Sequence, residues 1–299
     1  MTKSTNSNLS ILDRLQKGDV LISDGATGTY LQQHGLGAGE CPEELNVSLP
    51  DIVRGMASDY FDAGSDMVLT NSFGGNKFML KKYGHGNQVE KFNRLAAEHA
   101  KSQAPEGHYV VGSIGPTGEF LEPLGEVSEQ EMFEAFVDQA TALEKGGADA
   151  VIIETETAIE EVKLAIKATK ENTDLIVMST MTFDKGPRGF FTMMGVTPEQ
   201  AVIEMEKAGA DIVGTNCGNG IDIMIEIAQR MRKATDGLML IHSNAGIPTI
   251  IKGRIVYPET PNYMAEKFKV LYDMKVNILG GCCGTTPEHI RQLAIALNR

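Results

Sequence analysis

The stretch Gly146-Gly-Ala-Asp-Ala-Val-Ile-Ile-Glu154 joins a glycine turn to an almost unbroken apolar run, and this pattern recurs along the chain. Ala63-Gly-Ser-Asp66 and Ala208-Gly-Ala-Asp211 also stand between a segment of helical periodicity and a short apolar run. A glycine in such a place ends a helix in the left-handed conformation, after which the chain turns into the next strand. The repeat therefore indicates that helices and strands alternate.

Outward from this stretch, short apolar runs alternate with longer segments of helical pattern. Nearly continuous apolar runs are typical of strands that are buried on both faces of a parallel sheet. β/α units with right-handed crossovers close into a (β/α)8 TIM barrel when there are eight of them. An open doubly wound sheet is less favoured, because no Gly-x-Gly-x-x-Gly opens the first helix. The runs are Val20–Ser23, Met67–Thr70, Tyr109–Ser113, Ala150–Glu154, Leu175–Met181, Ile212–Asn216, Leu238–Ser243 and Val276–Gly280.

The segments between the runs carry helix signals. Ser128-Glu-Gln-Glu131 is a capping box, because the serine hydroxyl can accept an unpaired N–H while Glu131 reaches back. Thr197-Pro198 offers a cap residue followed by proline at the first helical position. We predict an α/β fold with a single barrel domain over residues 19–299, preceded by an N-terminal extension with a helix over residues 1–18.

The composition restricts the partners and the compartment. The chain has 299 residues, of which 42% are apolar, and its net charge is −13. That charge opposes binding to nucleic-acid phosphates and to anionic lipid. No run approaches the roughly 20 apolar residues of a membrane span, and Met1–Ser10 lacks the apolar run of a signal peptide. We therefore expect a cytoplasmic protein with no nucleic-acid or membrane partner.

Polar residues cluster where the predicted strands end. In a (β/α)8 barrel the active site lies at the carboxyl ends of the strands, which we call the rim. Residues distant in sequence converge there, so these positions are candidates for the site. The rim residues are Asp24-Gly25-Ala26-Thr27 after the first strand, Asn71 after the second, Glu154 at the end of the fourth, Asn216-Cys217 at the sixth, Asn244 at the seventh, and Gly280-Gly-Cys-Cys-Gly284 at the eighth.

Three of the four cysteines fall on the rim, and they are the candidate metal ligands and catalytic residues. Catalytic zinc takes three protein ligands and keeps one position open. Adjacent Cys282 and Cys283 can bind one ion if the backbone turns sharply, which the flanking glycines allow. The alternatives are small cysteines that fill space in the core, as Cys217 alone would suggest, or a strained Cys282–Cys283 disulfide. Cys41 lies in a loop and is read as structural or incidental.

Three thiolates on zinc suit the activation of sulfur. A substrate thiol entering the open position becomes a thiolate at neutral pH, and the thiolate is the nucleophile. Hydrolysis is less natural, because anionic sulfurs reduce the Lewis acidity of the ion and no His-Glu-x-x-His is present. Single histidines such as His242 are interpreted as packed or surface residues. The residues thus favour zinc-dependent alkylation of a thiol.

The other rim residues leave two readings open. Glu154 either binds a substrate ammonium or pairs with a neighbouring donor. Asp24 either binds an ammonium or orders the turn, whose backbone N–H groups could face a carboxylate. Asn216 and Asn244 either bind substrate or tie loops together.

The chain resembles the homocysteine S-methyltransferase family from about Asp19 to the C-terminus. Within it the motifs are most similar to the homocysteine-binding module of cobalamin-dependent methionine synthase. The most specific stretch is Gly280-Gly-Cys-Cys-Gly-Thr-Thr-Pro-Glu-His289. The other matching pieces are Asp24–Thr29, Thr70–Phe73, Gly112–Gly125, Ile153–Thr155, Asn216-Cys217, Asn244–Gly246 and Tyr257–Pro261.

The resemblance implies a barrel, zinc on the three cysteines, and homocysteine as the acceptor that becomes methionine. Asp24, the backbone of Ala26 and Thr27, and Glu154 would hold the amino-acid end. The methyl donor would be a separate corrinoid protein or a small sulfonium compound. The alternatives are a methyltransferase of the same scaffold that acts on another thiol or on a corrinoid protein in one-carbon catabolism, and a zinc-binding partner subunit without catalysis.

Overall fold

Each of the eight apolar runs forms a strand of one parallel sheet in the computed structural model, which describes residues 9–251 and 254–299. The predicted (β/α)8 barrel is confirmed, with a sheet order of β1-β8-β7-β6-β5-β4-β3-β2. The strands are β1 (Leu21–Ile22), β2 (Met67–Leu69), β3 (Tyr109–Ile114), β4 (Ala150–Glu156), β5 (Ile176–Met181), β6 (Ile212–Cys217), β7 (Met239–Ser243) and β8 (Ile278–Gly281).

Helices connect the strands around the outside of the sheet. They are α1 (Ile11–Gln16), α2 (Thr27–Gln33), α3 (Leu45–Ser48), α4 (Pro50–Asp62), α5 (Lys77–Lys82), α6 (Val89–Lys101), α7 (Glu129–Lys145), α8 (Ile159–Asn172), α9 (Pro198–Ala208), α10 (Ile221–Ala234), α11 (Pro261–Asp273) and α12 (Pro287–Ala296). A 3-10 turn covers Pro42–Glu44, and two short hairpins, Asp184–Gly186 with Gly189–Phe191 and Thr249–Ile251 with Arg254–Val256, follow β5 and β7.

The glycine repeat has the predicted role at the ends of helices. Gly64, Gly147 and Gly209 have φ values of 107°, 91° and 103°, which lie in the left-handed region. The capping box at Ser128 and Glu131 also forms, with the serine hydroxyl accepting the Glu131 N–H. Helix boundaries in this chain are therefore set by local residues that satisfy unpaired backbone groups.

The aspartate that ends each repeat forms a clamp at the amino-terminal end of the barrel. Asp66, Asp149 and Asp211 each donate their own N–H to a carbonyl of the preceding strand, and their carboxylates accept that residue's N–H in return. Asn277 makes the same pair of bonds with its amide oxygen. All eight distances lie between 2.7 and 2.9 Å, and the clamped partners are Ile22, Val110, Val177 and Met239.

The seam between β1 and β2 is joined by two aspartates instead of a continuous backbone ladder. The Asp66 carboxylate accepts the Ile22 N–H at 2.8 Å, and the Asp24 carboxylate accepts the Leu69 N–H at 2.7 Å. Arg14 and Arg299 both donate to Asp66, which is buried. The barrel is thus closed at this seam by buried, charge-assisted hydrogen bonds.

The core has two layers. Alternate residues of the strands fill the barrel interior, and the opposite faces pack against the helices. In α1, Ile11 and Leu15 belong to the interior cluster, so this helix covers the amino-terminal end of the barrel. The predicted extension over residues 1–18 lies outside the described residues up to position 8. Among the described residues, no helix is both long enough and apolar enough to cross a membrane.

Candidate active site

Three cysteines converge on the rim from two strands. Cys217 ends β6, and Cys282 and Cys283 directly follow β8. Their sulfur atoms all lie within 4.8 Å of one another. Tetrahedral zinc with bonds of about 2.3 Å to sulfur would separate its sulfur ligands by about 3.8 Å. The donor set therefore fits a thiolate-bound zinc with an open position.

The backbone around the cysteines is shaped for this convergence. Cys217 has a φ of 65°, which is unusual for a residue with a side chain. Gly284 has a φ of 81°, and a Cβ there would lie 2.1 Å from the Tyr257 ring, so only glycine fits after the Cys pair. The Cys282 N–H donates to the Ser243 carbonyl at 2.7 Å, which fixes the turn against β7.

The three thiols cannot all ionise together without a cation. Hydrogen bonds from Cys282 and Cys283 lower the pKa of Cys217 far below its usual value, in spite of its burial. The same bonds raise the pKa of Cys282, and the bond to Cys217 raises that of Cys283 to about 11. One thiolate held by two thiols is the arrangement expected of a cluster that shares a single negative charge. A metal cation would release the two remaining protons, since metal ligands bind as thiolates.

A cavity of about 270 Å³ opens beside the cysteines. Its wall combines the start of α2, the ends of β2, β3, β4 and β7, and the cysteine turn. It is lined by Gly25 to Thr29, Pro42, Glu43, Leu69, Thr70, Asn71, Phe73, Ser113, Glu154, Thr155, Cys217, His242, Gly281, Cys282 and Cys283. The metal ligands and a buried carboxylate thus share one pocket of a size suited to a small amino acid.

Glu154 presents its carboxylate to this pocket. Oε1 accepts the Ser113 hydroxyl at 2.6 Å, and Oε2 accepts the Asn216 amide at 3.1 Å. Burial raises the pKa of Glu154 to about 7, although the bond from Ser113 opposes the shift. Both neighbours are neutral, so Glu154 has no cationic partner among the residues described. A carboxylate in this state is suited to bind a ligand cation.

Asp24 lies behind the pocket wall. Its Oδ2 accepts the Leu69 N–H, and its Oδ1 accepts the Ser23 hydroxyl at 3.2 Å. Burial raises the pKa of Asp24 to about 7. These contacts tie Asp24 to the β1–β2 seam, directly before the turn that begins at Gly25.

The turn that follows Asp24 is held tightly at the pocket edge. A Cβ on Gly25 would lie 2.7 Å from Thr285 Oγ1, so this position requires glycine. The Ala26 N–H donates to the same hydroxyl at 3.1 Å, and α2 begins at Thr27. Thr27, in the first turn of α2, forms part of the pocket wall.

The three asparagines predicted from sequence all bind the protein itself. Asn71 donates to the Pro42 carbonyl at 2.7 Å, and Asn244 donates to the Gly218 carbonyl at 2.7 Å and to Cys217 Sγ at 3.6 Å. Asn216 donates to Glu154 and Thr155. Their contacts tie loops together around the site, and the Asn71 side chain also reaches the pocket wall.

Among the wall residues that the sequence did not single out, two carry titratable side chains, His242 and Glu43. His242 was interpreted as packed, and it is buried but faces the pocket from β7. The alternation of side chains along a strand could have revealed it. Leu240, two residues earlier, points into the barrel interior, so His242 points the same way. Glu43 lines the pocket from the 3-10 turn, where no periodic pattern predicts the direction of its side chain. Cys41, outside the triad, is buried with Leu80 and Phe92.

Comparisons with known proteins relate this chain to methionine synthases and to a solved barrel of the same fold. Methionine synthase of Mycobacterium leprae is 31% identical over 94% of this chain, and that of Mycobacterium tuberculosis is 30% identical over 93%. The chain spans only 24% of the length of each. The metallated form of the homocysteine methyltransferase MmuM from Escherichia coli superposes with a TM-score of 0.78 at 20% identity, covering 94% of this chain and 97% of that one, which shows a shared fold.

The sequence profile described as homocysteine S-methyltransferase matches residues 21–297. That range runs from the first residue of β1 to the residue after α12, so it includes every barrel strand and all three clustered cysteines. With its barrel, its three-cysteine rim and this match, the chain belongs to the homocysteine S-methyltransferase family.

Proposed function

We propose that this protein is a zinc-dependent S-methyltransferase that converts homocysteine to methionine. The observation that carries the proposal is the cysteine cluster, which shares one pocket with the uncompensated carboxylate of Glu154. A zinc ion on Cys217, Cys282 and Cys283 would supply the positive charge that keeps the acceptor sulfur ionised at neutral pH. The family and the two methionine synthases support this choice of acceptor.

The chain's own residues would orient the acceptor. Glu154 would bind its ammonium group, and the Gly25–Thr27 turn would face its carboxylate with backbone N–H groups. Asp24 would act by holding that turn, since its carboxylate is engaged by Leu69 and Ser23. Asn71, Asn216 and Asn244 would keep the surrounding loops in place. The sulfur would then lie beside the cysteines.

The transfer itself is a substitution at carbon. The thiolate lone pair forms the new sulfur–carbon bond, and the bond from the methyl group to the donor breaks with its electrons left on the donor. The donor must therefore carry an electrophilic methyl group and reach the rim. Burial of the acceptor end in the cavity would exclude water from the reaction.

A corrinoid protein is our preferred donor, with a small sulfonium compound as the close alternative. Large apolar side chains are exposed on loops that follow β3, β5 and β7, as expected of a rim that a protein covers. They include Phe120, Leu124, Met193, Met194, Ile247 and Ile250. A quaternary ammonium donor would need an aromatic cage, and Phe73 is the one aromatic among the pocket-lining residues. The reduced thiols that the site requires agree with a cytoplasmic location.

The test combines metal analysis with a panel of donors. The purified protein is analysed for zinc and then incubated with homocysteine and S-methylmethionine, betaine or methylcobalamin, and methionine is measured. We expect zinc, and methionine from methylcobalamin. Methionine formed from S-methylmethionine but not from methylcobalamin would show that the donor is a small sulfonium compound rather than a corrinoid protein. Methylation of other thiols but not homocysteine would replace the acceptor, and zinc without any transfer would indicate a partner subunit without catalysis.

A further inference from the structure

His242 is a pocket residue to which the proposed function gives no role. It lies on β7, level with Asn216 of β6 and Gly280 of β8 in the sheet register. Its side chain follows Leu240 into the barrel interior and forms part of the pocket floor. Only 2% of the residue is exposed to solvent.

The imidazole of His242 is buried without its full set of hydrogen bonds. Nε2 has no partner among residues 9–251 and 254–299. Burial lowers the pKa of His242 to about 3, so the ring is neutral and offers one N–H and one lone pair. An unpaired polar atom in such a place is costly unless a ligand or a water molecule satisfies it.

Gly280 shows that the fold makes room for this ring. A Cβ at Gly280 would lie 2.9 Å from His242 Cδ2 and 2.8 Å from Ser23 Cβ. Any residue with a side chain there would displace the imidazole from its place beside β1 and β8. The ring therefore occupies a space that the neighbouring strand leaves open.

An ammonium group has three N–H donors, so a pocket that binds the acceptor's ammonium must offer several hydrogen-bond acceptors. Asp24 lies behind the wall, and Glu43 already accepts from the Gly74 N–H at 2.6 Å and from the Cys41 thiol at 3.3 Å. Glu154 keeps free lone pairs but also accepts from Ser113 and Asn216. The lone pair of His242 is an uncommitted neutral acceptor on the pocket floor, and Asn216, which donates to Glu154, lies level with His242 in the neighbouring strand.

We propose that His242 accepts a hydrogen bond from the ammonium group of the acceptor thiol, together with Glu154, and so helps to select amino-acid thiols over thiols that lack an amino group. This inference rests on the proposed function, because it assigns a contact within the same pocket. A neutral acceptor suits this place, since a second carboxylate beside Glu154 would add repulsion in the empty site.

The experiment compares the metal-loaded native enzyme with a His242→Leu variant. Binding is measured by calorimetry for homocysteine, for 4-sulfanylbutanoate, which lacks the ammonium group, and for 3-aminopropane-1-thiol, which lacks the carboxylate. We expect the variant to raise the Kd of both amines about tenfold or more, the loss typical of a hydrogen bond to a charged group. The Kd of 4-sulfanylbutanoate should stay within about twofold.

Controls separate this contact from a general disturbance. His108→Leu changes a partly exposed histidine in the loop before β3, at the opposite end of the barrel, and should leave all three Kd values unchanged. His242→Gln keeps an acceptor and should recover part of the discrimination. If His242→Leu does not fold, the nitrogen resonance of His242 in the native protein should shift with homocysteine and not with 4-sulfanylbutanoate.

Three results would overturn the inference while the proposed function stands. The first is an unchanged Kd of both amines in the His242→Leu variant, the second is an equal loss of affinity for all three thiols, and the third is a loss confined to the two carboxylates. Failure of the native enzyme to bind or methylate homocysteine would instead remove the proposed function, and the inference with it.

Discussion

Asn216 holds Thr155 through two hydrogen bonds: its amide oxygen accepts the Thr155 N–H at 2.9 Å, and its amide nitrogen donates to Thr155 Oγ1 at 2.8 Å. Thr155 has a φ of 64°, a strained conformation for a β-branched residue, and it sits at an irregularity between β4 and β5. The same amide also donates to Glu154. One side chain on β6 thus stabilises the strained bulge and fixes the carboxylate beside it.

Asn216→Ala should lower the free energy of unfolding by about 2–4 kcal/mol, because it leaves buried groups of Glu154 and Thr155 unpaired. Urea denaturation would measure the change. Asn172→Ala is a matched control, since that exposed amide makes a single bond within α8 and its loss should cost less than about 1 kcal/mol. Equal losses of unfolding free energy in the two variants would contradict the stabilising role of Asn216 at the bulge.

Cys283→Ala should reduce the zinc content from about one ion per chain to nearly none, because two thiolates leave the site incomplete. The protein should stay folded, since the barrel core lies below the rim. Metal analysis and circular dichroism would check both points. Cys41→Ala removes a buried thiol outside the triad and should keep its zinc. Full metal retention by Cys283→Ala would refute the assignment of ligands.

Glu154→Gln should lower kcat/KM for homocysteine roughly 10- to 150-fold, the equivalent of about 1.5–3 kcal/mol for a hydrogen bond to a charged group. Zinc should be retained. Steady-state kinetics would show the effect, and Glu156→Gln provides the control, because Glu156 is a buried glutamate of the same strand outside the pocket. An unchanged kcat/KM for Glu154→Gln would exclude its role in acceptor binding.

Asp66→Ala should lower the stability more than Asp149→Ala, although each variant removes one clamp of the same kind. Asp66 is buried with Arg14, and its loss would leave that guanidinium without its buried partner, at about 3–5 kcal/mol. Asp149 pairs with Lys101 at a half-exposed site, so its loss should cost about 1–2 kcal/mol. Thermal and urea unfolding would rank the variants, and the opposite order would disprove this account.

Glu156→Met should stabilise the protein, because Glu156 is fully buried and neither carboxyl oxygen has a partner among the described residues. Burial, with the nearby Glu161 carboxylate, raises the pKa of Glu156 well above its usual value. A group with a raised folded-state pKa contributes stability below its unfolded pKa of about 4.5, and that contribution is lost as the pH rises.

The stability gain of Glu156→Met should therefore grow between pH 5 and pH 8, by at most about 1.4 kcal/mol per pH unit. Urea titrations of both proteins at several pH values would measure this difference. A gain that shrinks as the pH rises would show that Glu156 is ionised and paired in the native protein.

The strands could be predicted from sequence because each is buried on both faces and is therefore apolar along its length. The aspartates of the repeat were visible, but their bonds to the preceding strand were not, since these depend on register. Asn277 escaped notice altogether, because Met274-Lys-Val replaces the glycine-rich turn before it. Because an amide oxygen can accept the same N–H as a carboxylate, Asn277 forms the same pair of bonds as the three aspartates, although the sequence before it differs from the repeat.

The parts of the candidate site that depend only on a residue's position along its strand could be predicted from the sequence. Cys217, Cys282, Cys283 and Glu154 stand at strand ends and meet, since all parallel strands end on one rim. The directions of Asp24 and Asn244 depended instead on backbone groups of Leu69 and Gly218, which no local pattern reveals. His242 was passed over because one buried histidine in a strand is compatible with ordinary packing.

The four clamps have a consequence for how the chain reaches its native state. Asp66, Asp149, Asp211 and Asn277 open β2, β4, β6 and β8, and each binds the strand immediately before it in sequence. Every clamp therefore closes a loop within one β-α-β unit, where the entropy cost of closure is low. The barrel is divided into four two-stranded units, β1–β2, β3–β4, β5–β6 and β7–β8, that can each pair early through contacts local in sequence. Because the Asp66 clamp lies across the seam between β1 and β2, that seam belongs to one of these local units, and the barrel is completed where the units meet one another.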